Sequence, residues 1–283
     1  MKIEFLGSGG AITTPQPGCR CRVCVEARQR GAPYSRTGPS VFVHGPDLLI
    51  DTPEEIKSQL NRAGLGFIPA CTYSHWHPDH VMGRRVWEMN KDWRGWPPRD
   101  RQSDIYLPQQ VAADFRERLG SWENFEFLAS QNVVRLHVLQ DGEAFTLGRT
   151  RVLPVRLAAD YVYAFLLEEE GKRVLIAPDE LVGWDPPQTV RGLDLAVLPM
   201  GVPEFDPFTG ARMVPAEHPV LQVEATLDFT LEVARKLQAK RVIMTHIEEP
   251  FGLSHDDLQR LGAKLQADGS NIDFAYDTLQ VEA

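Results

Sequence analysis

The hexapeptide His75-Trp76-His77-Pro78-Asp79-His80 constrains this chain more than any other stretch. It places four candidate metal ligands in six residues and uses three of the chain's eight histidines. The apolar run just before it, 70–74, reads as a β-strand. A strand end is rigid and the loop that follows is short. Two imidazoles can therefore aim at one point, and a carboxylate with a third imidazole at a neighbouring one. Neutral imidazole and carboxylate suit zinc, iron or manganese. A surface histidine cluster is the bland alternative, and this spacing after a strand argues against it.

The rest of the pattern supplies a platform for such a site. Strand signals fall at 3–6, 41–44, 48–51, 133–139, 151–156, 162–167, 173–176, 193–199, 241–245 and 272–274. Helix signals fall at 54–62, from Asp79, at 109–119, 222–237 and 256–265. Asp141-Gly142 and Glu170-Gly171 punctuate a meander. The segments 90–104 and 200–219 read as loops. Strand runs broken by helices imply an α/β chain of two mixed β-sheets sandwiched between helices, with no linker dividing it. At 283 residues the chain can bury a large core without disulfides. Its net charge of −9 excludes wrapping duplex nucleic acid, which needs a basic footprint. No apolar run approaches the roughly 18 residues that cross a bilayer, so no membrane partner is expected. The N-terminus enters a strand at once without a signal-peptide core, which makes the cytoplasm the default compartment. Three of the four cysteines, Cys19, Cys21 and Cys24, cluster in a way that suggests metal binding more than a disulfide. Cys71 lies in a strand and reads as core, and His44 and His137 read as packing or surface positions.

His-x-His-x-Asp-His after a strand resembles the signature of the metallo-β-lactamase fold superfamily. Phe5-Leu6-Gly7-Ser8-Gly9-Gly10, Leu49-Ile50-Asp51-Thr52 and Thr245-His246-Ile247 follow in the order that family shows. Cys19-x-Cys21-x-x-Cys24 followed by Arg28 is similar to the phosphoribosyl 1,2-cyclic phosphate phosphodiesterases of phosphonate catabolism. Coenzyme PQQ biosynthesis protein B shares the cysteine motif. The resemblance implies a four-layer αββα fold over 1–283, with a Cys-rich zinc-binding loop at 18–30. It implies that His75 and His77 bind metal one, that Asp79, His80 and His246 bind metal two, and that Asp179 bridges both. Asp179 and His246 each follow a strand signal, which suits those roles.

Two departures stand out. The family's third histidine for metal one would fall near Ala158, in Arg156-Leu157-Ala158-Ala159-Asp160-Tyr161, where no histidine occurs. Asp160, a water, or a weaker metal one are the open outcomes. The family's acid–base histidine maps onto Glu224, in the first turn of the helix at 222–237, with His218 nearby as the alternative. Asp79 is taken as a catalytic carboxylate as well as a ligand. The fourth ligand of the structural zinc maps onto Glu249, with His255 as the rival. A carboxylate added to zinc and three thiolates leaves −2 at that site, whereas a neutral imidazole leaves −1. Trp87, Trp93 and Trp96 with Arg84, Arg85, Arg94, Arg99 and Arg101 read either as a substrate mouth or as a surface excursion.

The expected activity is metal-dependent hydrolysis of a small phosphodiester or cyclic phosphate through a metal-bound hydroxide. The expected cofactors are two zinc or manganese ions, or iron, plus one structural zinc. A small anionic, phosphate-containing substrate and a homodimer partner complete the expectation. The alternatives are a non-hydrolytic protein like coenzyme PQQ protein B and a degenerate member that binds without turnover.

Overall fold

The computed structural model describes residues 1–91, 94 and 101–283. The first half of the chain runs β1 (Lys2–Gly7), α1 (Arg22–Arg30), β2 (Ser40–His44), β3 (Leu48–Ile50), α2 (Ile56–Ala63), β4 (Ala70–Thr72), α3 (Pro78–Val81), β5 (Ser103–Pro108), α4 (Gln109–Glu117), α5 (Trp122–Ser130) and β6 (Val134–Leu139). The second half runs β7 (Phe145–Leu147), β8 (Thr150–Arg156), β9 (Tyr163–Glu169), β10 (Lys172–Ile176), β11 (Leu195–Pro199), α6 (Val220–Val223), α7 (Leu227–Leu237), β12 (Arg241–Thr245), α8 (His255–Ala267), β13 (Ile272–Phe274) and β14 (Gln280–Glu282).

The strands form two seven-stranded sheets, ordered β14-β1-β2-β3-β4-β5-β6 and β13-β12-β11-β10-β9-β8-β7. Each is mixed. β3 to β6 are parallel in the first sheet, and β10 to β13 in the second. Period-two alternation decides how the sheets stack. In β11, Leu195 and Val197 join the core shared with the first sheet, whereas Ala196 and Leu198 join a second core under helices. β9 and β10 divide in the same way, with Phe165 and Ile176 on one side and Leu166 and Leu175 on the other. A strand buried on both faces must be covered on both, which is the four-layer arrangement expected. α2, α4 and α5 cover the first sheet, and α7 and α8 the second.

Several local expectations change. The 18–30 segment is only partly loop, because α1 begins at Arg22, capped by the Cys21 sulfur accepting from the Cys24 N–H. The region 90–104 ends in β5 rather than staying loop to Asp104, while α5, β7 and β14 had no clear sequence signal. The helix anticipated over 222–237 is broken, since Glu224 is extended at φ −121° and ψ 140° and α7 restarts after Thr226 caps the Phe229 N–H. Gly201 permits the break, because a Cβ there would lie 2.8 Å from the Ala225 carbonyl oxygen. Trp87 is fully buried and donates to the Tyr73 hydroxyl at 2.9 Å, so it is core rather than substrate mouth. Trp93, Trp96 and Arg99 lie outside the described residues.

Candidate metal centre

The site lies at the C-terminal ends of parallel strands from both sheets, where loops converge and ligands bind in open α/β sheets. β4 delivers His75 and His77. Pro78 at the first helical position opens α3, which turns Asp79 and His80 back toward them. β10 ends just before Asp179, and β12 just before His246.

Two ligand groups assemble there: His75 with His77 and Asp179, and Asp79 with His80 and His246. Asp179 serves both. Its Oδ2 is 3.3 Å from His75 Nε2 and 3.7 Å from His80 Nε2, and its Oδ1 is 3.5 Å from His246 Nε2. Asp79 Oδ2 stands 3.4 Å from both His80 Nε2 and His246 Nε2. The Nε2 atoms of His75, His80 and His246 are buried without a hydrogen-bond partner, in a molecule where such atoms are normally paired. Two ligands each about 2.1 Å from one tetrahedral ion lie about 3.4 Å apart. The orphaned nitrogens and these separations fit divalent metals between the imidazoles and carboxylates.

A supporting layer orients the ligands. Asp51 accepts from Ser74 N at 2.8 Å and from Ser74 Oγ at 2.7 Å, and its Oδ2 lies 2.8 Å from His80 Nδ1. That contact puts the His80 proton on Nδ1 and turns Nε2 to the ligand cluster. Ser74 Oγ lies 3.0 Å from His75 Nδ1. Asp51 and His246 both adopt left-handed backbone, φ 64° and 54°, a conformation that side chains other than glycine adopt at a cost. Gly10 makes room for the His246 ring, since a Cβ at residue 10 would sit 2.5 Å from its Cε1 and Nδ1.

Electrostatics follow this geometry. Burial, reinforced by neighbouring imidazoles, pushes His75 down and takes His77 to about 4, leaving both neutral and able to ligate. Burial also opposes charge on His80 and His246, but the aspartates outweigh it and raise both, His246 to about 9. Asp79 and Asp179 are held well below the usual carboxylate range by those imidazoles despite their burial.

The first group offers three ligands among the described residues: His75, His77 and Asp179. Ala158 and Asp160 are exposed, and Asp160 joins no ligand group. The ring beside this group belongs to Tyr161, 5.5 Å from the His77 ring and 6.2 Å from the His75 ring. Arg118 lies 5.0 Å from the neighbouring Trp76 ring. Sequence reasoning missed Tyr161 because only the β8–β9 turn brings it there.

A pocket opens beside Asp179 and His246, and Glu180, Glu224 and Glu248 line it. Desolvation at the pocket wall, then a hydrogen bond with Glu180 and the charge of Asp179, push Glu224 up to about 9. Burial also raises Glu180. The two carboxyls face the same pocket, and no motif announces Glu180. His218 is placed differently. It is exposed, its Nδ1 accepts from Val220 N at 3.1 Å, and it lines an adjoining cavity.

The cysteine cluster closes on Glu249. Its Oε1 lies 3.4, 2.8 and 3.2 Å from the sulfurs of Cys19, Cys21 and Cys24. One carboxylate oxygen facing three sulfurs fits a tetrahedral zinc. Gln16 Nε2 donates to the other oxygen at 3.1 Å, which offsets part of the negative charge. Arg28 ties the loop by donating to the carbonyls of Cys19 and Gln16. His255, the rival ligand, instead begins α8 and packs between Tyr34 and Tyr276. Cys71 is buried as expected, and His137 stacks on Tyr106.

A model of the beta-lactamase superfamily domain matches residues 44–247. Among solved structures, one described as a new diphosphatase from the PhnP family is 26% identical, with TM-score 0.69 over 100% of this chain and 97% of that one. Zn(2+)-bound PqqB from Methylobacterium extorquens aligns over 100% of both chains at 18% identity and TM-score 0.71, a likeness of fold. Among curated proteins, the octanoyltransferase of Porphyromonas gingivalis (strain ATCC BAA-308 / W83) is 32% identical over 125 residues, which is 42% of this chain. That match spans 23% of the octanoyltransferase's own length. No helix among the described residues is long and apolar enough to cross a membrane.

Proposed function

Since this chain belongs to the beta-lactamase superfamily, we propose that it is a metal-dependent hydrolase of a small phosphodiester or cyclic phosphate. The observation that carries the reading is Asp179, whose two oxygens face imidazoles of both ligand groups in one pocket. The diphosphatase relative, which acts on phosphate chemistry, supports the substrate class. His75, His77 and Asp179 would hold one metal, and Asp79, His80 and His246 with Asp179 the other. When bound, two divalent ions supply Lewis acidity and bring the pKa of water toward neutrality.

The chain's own residues do the rest. Asp51 and Ser74 fix the imidazole tautomers, so little reorganisation is needed as charge develops. Burial at the pocket wall, with Glu180 and Asp179 beside it, favours the protonated Glu224 carboxyl. A carboxyl that stays protonated near neutral pH is able to act as a general acid. Glu224 can then protonate the leaving oxygen. His218, committed to the Val220 N–H, is the less suited candidate. The cysteine site would hold a structural zinc that pins the N-terminal loop to the segment after His246.

Hydrolysis of bis(p-nitrophenyl) phosphate with added zinc, manganese or iron tests the proposal. The expected result is turnover that Asp179→Ala abolishes. No turnover under any of these metals, with this substrate or a cyclic phosphate, would overturn it.

A further inference from the structure

The pocket at the metal centre does not stand alone. A second cavity, of about 380 Å³, shares Val202, Val220, Glu248 and Phe251 with it as a common wall. That volume lies within the usual range for small-molecule sites. Away from the shared wall it is lined by Ile12, Met213, Val214, Pro215 and Pro250, with His218 as its one basic group. Among the described residues, neither lysine nor arginine lines it. The described lining therefore offers no lysine or arginine to receive a second phosphate or a carboxylate.

The walls are held in place before any ligand arrives. Met213 N and Val214 N donate to the Glu204 carbonyl at 2.9 and 3.2 Å, and Phe205 pairs with Arg212 across the same loop. On the opposite side, Glu249 N donates to the Ile12 carbonyl at 3.0 Å, which ties that wall to the cysteine site. Ile12 and Met213 remain 37% and 40% exposed. Apolar surface kept open on a braced wall gains free energy when an apolar group covers it.

We propose that this cavity is the subsite for an apolar substituent of the substrate. Resting on the hydrolase reading above, the inference narrows the substrate to a phosphoester with an alkyl or aryl group. The phosphoryl group would sit at the ligand groups and the hydrocarbon against Met213, Val214 and Phe251. The four shared residues set the two cavities side by side, and the acidic side chains Asp179, Glu180 and Glu224 line only the one at the ligand groups.

The test is a series of alkyl p-nitrophenyl phosphates with methyl, butyl and octyl groups, assayed on the metal-loaded protein. Each buried methylene is expected to raise kcat/KM up to about fourfold, the equivalent of ~0.8 kcal/mol. The octyl-to-methyl ratio should collapse in Met213→Glu and persist in Met213→Leu. A flat or falling ratio in the unmodified protein would overturn the subsite and leave the hydrolase reading standing. If no ester turns over, affinities for methyl-, butyl- and octylphosphonate measured by calorimetry still decide the matter. Affinity rising with chain length, and lost in Met213→Glu, supports the subsite. Equal affinities overturn it.

Discussion

Replacing Asp51 by Asn probes the centre through a residue that would not touch a metal. Asp51 has three short polar contacts: Ser74 N at 2.8 Å, Ser74 Oγ at 2.7 Å and His80 Nδ1 at 2.8 Å. Asn is close in shape and tolerates the left-handed backbone at φ 64°, so the chain has little reason to rearrange. Its side chain offers one acceptor oxygen and one NH2 group. If the oxygen keeps the Ser74 N–H, the NH2 faces the Nδ1 proton of His80, donor against donor. His80 must then change tautomer or turn away, and either change spoils Nε2 as a ligand. One lost hydrogen bond to a charged group costs about 1.5–3 kcal/mol. That corresponds to a loss of roughly 10- to 100-fold in metal affinity, the range expected for outer-sphere partners. Competition with a chromogenic zinc chelator measures it, with circular dichroism confirming the fold. Zinc held at the cysteine cluster should be unaffected. Metal affinity within twofold of the unmodified protein, with the fold intact, would show that Asp51 does not set the His80 tautomer.

Four further outcomes follow from the same geometry. Glu224→Gln should lower kcat by about 10²-fold or more on substrates with an alkoxide leaving group and far less with p-nitrophenolate, which leaves without help; equal losses on both would remove Glu224 as the acid. Gly10→Ala drives a methyl group into the His246 ring, so elemental analysis should show metal two lost and the cysteine zinc kept. Glu249→Ala should release the structural zinc and lower Tm, whereas His255→Ala should leave zinc content unchanged. For Asp257, burial opposes ionisation, but the Ser254 N–H, Arg22 and Arg260 outweigh it and hold the carboxyl at about 2, below its ordinary 3.8. A depressed folded-state pKa gives stability above pH ~4 that is lost as pH falls toward ~2, about 2 kcal/mol in all. Acid titration of Asp257→Asn should show a flatter limb in that window.

The parts of the site legible in sequence are those set by local chain geometry. His75 to His80 could be read because four ligands follow one strand within six residues. Asp179 and His246 could be placed because each stands just past an apolar strand, where a parallel sheet ends. The spacing before His246 points to Glu224, but local sequence places it in a helix. Its extended backbone depends on the close approach of Ala225 to Gly201, a contact between residues far apart in the chain. Glu180 and Tyr161 carry no motif and acquire meaning only when the two sheets face each other. Charge alone does not decide between Glu249 and His255; packing against Tyr34 and Tyr276 withdraws the imidazole. The edge strands β7 and β14 are three residues each, too short for periodicity to register.

On this reading the chain would hold two metals on either side of Asp179 and a third at its cysteines, and anomalous diffraction from crystals grown with zinc reveals each directly. Three anomalous peaks are expected: one among His75, His77 and Asp179, one among Asp79, His80 and His246, and one among Cys19, Cys21, Cys24 and Glu249. A single peak at the cysteines, with the imidazole Nε2 atoms hydrogen-bonded directly to Asp79 and Asp179, would contradict it.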